Sequence, residues 1–138
     1  MTNMAKYPFL SLKQTLFLLR IAVAIIFLAH AIVRICNGSI PQFAEFLTGK
    51  RLPFGVAQVW CITTYEITGG VLLILGRYTR WVTAGFIALL AIGIVLIHAD
   101  QGWFVGEHGT GGSEYSFILI VALLVIAAEK MPVIKAGR

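Results

Sequence analysis

Five ionisable residues of this 138-residue chain stand within or at the ends of apolar stretches: His30, Arg34, Glu66, His98 and Glu114. An imidazole and a carboxylate in such surroundings can pass protons, and a guanidinium can hold an anion or a carbonyl oxygen. His30 and Arg34 are four residues apart and share one face of a helix. Glu66 carries the strongest single signal. A charged acid near the middle of a bilayer costs about 2.5–3.5 kcal/mol on the insertion scale. It must therefore pair, with His30 or Arg34 as the candidates, or hold a proton. His30 and Glu66 are the candidate proton relay. Arg34, His98, Trp103, Glu114 and Tyr115 are the candidate binding residues.

Other chemistries fit less well. Two His and two Glu would suit a divalent metal with mixed nitrogen and oxygen ligation, but they lack a Glu-x-x-His arrangement and Glu66 is deep relative to His98, so no metal is assigned. No Ser or Cys stands beside a recognisable base, and no Gly-rich phosphate loop follows a strand. Cys36 and Cys61 form no CxxC pair; a disulfide between them requires both to face an oxidising compartment. Glu66 with Arg34 would equally serve as a buried ion pair that fixes helix register. Convergence favours a site, because four helices each contribute at least one ionisable group.

Those helices must lie in lipid. The chain is 59% hydrophobic and 12% charged, against about 45–50% apolar and about 25% charged in a soluble domain. A soluble protein this short could not bury that much apolar surface. The net charge of +5 does not point to nucleic acid, because the Lys and Arg residues flank apolar runs, as membrane insertion requires. The expected fold is an all-α integral membrane protein: a single domain, a four-transmembrane-helix bundle with spans at about 12–36, 55–75, 81–98 and 114–131. Ser11 and Gln14 have capping-box spacing at the start of the first span, and Arg20 lies two turns in, where its stem can snorkel to the inner surface. Because Arg20 interrupts the apolar run and the pattern continues to Ile35, the segment reads as a retained span and not a cleaved signal peptide. The uncharged run of the last span, Tyr115 to Ala128, is short of the roughly 20 residues a crossing takes. Extending it draws Glu114 to the membrane edge.

With both termini cytoplasmic, the inner segments hold Lys6, Lys13, Arg77, Arg80, Lys130, Lys135 and Arg138, against Arg34, Lys50 and Arg51 outside. The outer connections, 37–54 and 99–113, are then long loops, and the inner hairpin Gly76–Arg80 is tight. His30 falls about 9 Å below the Cys36 end of its helix and Glu66 about 16 Å below Gly55. The polar cluster therefore faces outward. Trp60, Trp81 and Trp103 are expected as interfacial anchors, with Trp103 placed to cover the mouth. His108, in the outer loop, is expected in solvent, and Gly69 and Gly70 are expected to admit a close helix neighbour.

The order of motifs resembles the DoxX family. The residues are Leu28-Ala29-His30 with Arg34; Glu66 followed by Gly69-Gly70 and Leu73-Ile74-Leu75-Gly76; Thr79-Arg80; His98; Gly102-Trp103-Phe104; and Gly111-Gly112-Ser113-Glu114-Tyr115. The likeness spans about 16–128, with Arg34 where the family often has Lys. It implies a four-helix, multi-pass protein of the bacterial inner membrane. The family takes its name from a quinone-linked terminal oxidase and thiosulfate-oxidising system, and other members resemble accessory subunits of membrane redox assemblies. On that basis the expected function is a quinone-linked redox component or subunit with an outward polar pocket. The alternatives are a non-catalytic anchor or assembly subunit, and a small-molecule or anion binder or carrier. No covalent cofactor is implied, and quinone is the candidate ligand. The expected partners are the lipid bilayer, redox-complex subunits and further copies of the chain.

Overall fold

The computed structural model describes residues 9–98, 102–104 and 112–129. Helix α1 covers Leu12–Cys36, α2 Ile40–Gly49, α3 Gly55–Leu75, α4 Thr79–Gly93 and α5 Ser113–Glu129; α4 runs on into a π-helical turn, Ile94–His98. No strand occurs among the described residues. Three helical stretches, 12–36, 55–75 and 79–97, are long and apolar enough to cross a bilayer. Their outward faces carry Ile25, Ile32, Val71, Trp81, Ile92 and Val95, all exposed. Trp60 is half-exposed. Lipid, and not water, is the solvent such faces require.

Local signals set the helix ends. The Ser11 hydroxyl accepts from the Gln14 amide while the Gln14 side chain accepts from the Ser11 N–H at 2.8 Å, a capping box that starts α1. At the Gly76–Arg80 hairpin, Arg77 N–H donates to the Leu72 carbonyl and Gly76 N–H to that of Leu73, both at 3.0 Å. This Schellman closure places Gly76 at φ +66°, which only glycine adopts without penalty. At the far end, Ser113 and Glu114 N–H groups donate to the Gly102 and Trp103 carbonyls. The first amides of α5 are thus satisfied by the chain just before it.

The register of α1 against α3 follows from three contacts. Arg34 meets Thr63 and Glu66, Leu28 fills the space over Gly70, and the Arg20 guanidinium lies 3.4 Å from where a Cβ on Gly76 would be. The two helices are therefore antiparallel. Helix α5 is antiparallel to α1 as well, since Glu129 at its end lies 3.7 Å from Arg20. Gly69 and Gly70 do admit close neighbours, but chiefly side chains: a Cβ on Gly69 would lie 2.7 Å from Phe86, and one on Gly70 2.7 Å from Leu28.

Two expectations are corrected. Arg20 does not snorkel to the surface. It is 9% exposed and turned inward on Glu129, because α1 extends two turns beyond the ends of α3 and α5 and leaves Arg20 level with them. The outer connection 37–54 is not a loop either, for it holds α2. Ile40, Ala44 and Leu47 recur at helical spacing and are buried against Val59. A ten-residue helix is too short to register as a span; Pro41 in its first turn suits a helix start. Gly55 lets α2 close on α3, since any Cβ there would collide with the Ala44 carbonyl.

Candidate functional site

The floor of the half of the bundle that α2 covers is an ion pair. Arg34 Nη1 donates to Glu66 Oε2 at 2.6 Å and Nη2 to Oε1 at 3.4 Å, the two-pronged fork that guanidinium and carboxylate planes favour. Nη1 also donates to the Thr63 hydroxyl at 2.8 Å, and that hydroxyl donates to the Val59 carbonyl at 2.7 Å. The ring of Phe43 on α2 lies 5.4 Å from the guanidinium carbon, within cation–π range. The two side chains are 13% and 5% exposed. Glu66 thus pairs with Arg34 and not with His30, and its partner is held on three sides.

Above this floor opens a cavity of about 850 Å³. Its walls are apolar and come from every helix: Phe27 on α1, Phe43 and Leu47 on α2, Ile62 on α3, Ala88 on α4 and Leu119 on α5. The polar lining is sparse. It comprises His30, Arg34, Glu66, Gln58 and Ser116, with Tyr115 and Cys61. Both cysteines are free and exposed, so no disulfide joins them.

Of the residues singled out from sequence, His30, Arg34, Glu66 and Tyr115 line this one space. Glu114, half-buried, and Trp103 sit beside it at the head of α5 and do not line it. The indole of Trp103 tilts against Phe117 at 5.6 Å and is 48% exposed. It packs on the outside of α5 and does not cover the mouth. The side chain of His98 and the whole of His108 lie outside the described residues. Leu96 and Ile97, just before His98, line the cavity.

Sequence reasoning missed Thr63, Phe43, Gln58 and Ser116. Thr63 could have been found: it precedes Glu66 by three residues and shares its helix face. Phe43 could not, because its role depends on α2 folding over the pocket. Gly85, also in the lining, is required by Tyr65, whose hydroxyl donates to the Val82 carbonyl at 3.0 Å and occupies the place of a Cβ. Gly85→Ala should accordingly lower stability by about 1–3 kcal/mol, measured by thermal unfolding in detergent, with Tyr65→Phe recovering part of the loss.

A family model described as DoxX matches residues 15–99, more than half of the chain. The chain belongs to the DoxX family. Searches of curated proteins and of solved structures return no match. The DoxX match takes in all but the first three residues of α1, then α2, α3, α4 and the π turn, and with them His30, Arg34 and Glu66. It ends before α5, so Gly112, Tyr115 and Ser116, which complete the cavity wall, lie beyond it. DoxX is a membrane family, and with the three long apolar helices this makes the chain an integral membrane protein.

Proposed function

We propose that this DoxX protein is a quinone-linked redox component of the bacterial inner membrane, with its ligand in the outer cavity. One observation supports the reading above others: an apolar, partly aromatic chamber of about 850 Å³ with a guanidinium–carboxylate pair at its floor and His30 on its wall. Ligand pockets commonly occupy about 300–1,000 Å³ and combine apolar walls with a few placed polar groups. A quinone ring matches both requirements. Arg34 would hold a ring oxygen, and His30 and Glu66 would carry protons. A partner subunit or small reductant would supply electrons. Glu114, Trp103 and His98 would act at the rim.

The topology belongs to the same proposal. Helix α5 is the fourth span, packed on α4 and antiparallel to α1, with both termini in the cytoplasm on the charge bias described above. A soluble quinone analogue added to the purified protein should raise its melting temperature. No shift at saturating analogue would remove this reading.

A second reading has its own support. The Arg34–Glu66 fork is complete in itself, as befits a register lock in a non-catalytic anchor or assembly subunit. In that case extraction in mild detergent would recover a stable partner, and the quinone analogue would have no effect.

A further inference from the structure

We propose that the outer cavity exchanges water, protons and ligand with one membrane face only, so that the protein is a one-sided chamber and neither a channel nor a carrier. Arg34–Glu66 at the cavity floor and Arg20–Glu129 at the opposite end are ion pairs at different depths of the bundle. Along α3, the ten residues from Glu66 to Gly76, which touches Arg20, span about 15 Å. The interval is filled by apolar side chains from four helices. Val23 and Ala24 come from α1, Leu73 from α3, Val82 and Phe86 from α4, and Leu123 and Ile126 from α5. Each is at most 5% exposed.

Four features make this layer a barrier. Phe27 and Phe86 stack with centroids 3.8 Å apart, and Tyr65 meets Phe86 edge-on at 5.1 Å. Phe86 and Leu28 fill the hollows over Gly69 and Gly70, the places where a helix-lined water path would otherwise run. The hydroxyls within the layer are committed to backbone: Tyr65 to the Val82 carbonyl, and Thr83 to the Thr79 and Arg80 carbonyls at 2.8 and 2.9 Å. Of the buried core residues of the layer that the structure describes, Phe27 alone lines the cavity. A chain of waters needs polar partners along its way; among the described residues the buried polar atoms without a hydrogen-bond partner, Thr79 Oγ1, Arg20 Nε and Glu129 Oε2, gather at the far end of the layer and not across it. Protons drawn on by any chemistry at Glu66 or His30 therefore come and go on the side that α2 covers.

The full-length Cys36→Ser variant leaves Cys61 in the cavity wall as a probe. Intact cells and inverted membrane vesicles are each treated with a membrane-impermeant maleimide. Cys61 should be labelled in one preparation and untouched in the other. Proteoliposomes of the same protein, loaded with a pH-sensitive dye, should show no proton flux above that of empty liposomes. Labelling in both preparations, labelling in neither, or added proton flux would overturn the proposal. None of these readouts involves a quinone, so loss of the ligand reading would leave them unchanged.

Discussion

Replacing Glu66 by Leu should destabilise the protein by about 3–5 kcal/mol, the range observed when one partner of a buried ion pair is removed. The cost arises on the other helix. Arg34 keeps the Thr63 hydroxyl and the Phe43 ring, but both of its donors to the carboxylate lose their acceptor in a setting where water is scarce. Arg34→Met should be less harmful than a lone Glu66→Leu, because a carboxylic acid can take up a proton and a guanidinium cannot shed one. The double variant Arg34→Met/Glu66→Leu should recover most of the loss, since apolar replacement of a whole buried pair is often neutral. Reversible unfolding of the four proteins in mixed micelles measures the coupling. Additive single-variant losses would show that the fork contributes little.

Phe86→Ala should cost a similar amount, about 3–5 kcal/mol. Phe86 is fully buried. It stacks on Phe27, receives the edge of Tyr65 and occupies the hollow of Gly69. Truncation removes those contacts together and leaves a void that the neighbours on α1 and α3 cannot fully close. Phe86→Leu keeps most of the volume and should lose much less. Thermal unfolding of the two variants tests this; equal losses would mean that ring stacking, and not volume, sets the packing here.

Much of this architecture was legible in sequence because lipid imposes a simple code. The apolar run from about Leu12 to Cys36 with its Ser11–Gln14 cap corresponds to α1, and the run from about Gly55 to Leu75 to α3. Glu66 was legible as well, since an acid inside an apolar helix calls for a partner, but the sequence left His30 and Arg34 both open as that partner. Features resting on two elements at once were hidden. Helix α2 has the length of a loop, and only its fold onto Val59 turns Phe43 toward Arg34. Arg20 was assigned to the inner edge, but its pairing with Glu129 depends on α5 lying against α1. The cavity was foreseen only as a polar pocket. Its apolar walls combine residues from all five helices, a grouping that no periodicity within one helix reveals.

The central claim is that the Arg34–Glu66 floor serves a ligand and is more than a lock. The double variant Arg34→Met/Glu66→Leu separates the two roles, because it removes the charges while retaining the fold. Binding of a soluble quinone analogue should be measured by melting shift on this variant and on the wild type. The account predicts a clear shift in the wild type and its loss in the folded double variant. An equal shift in both, or none in the wild type, would contradict it.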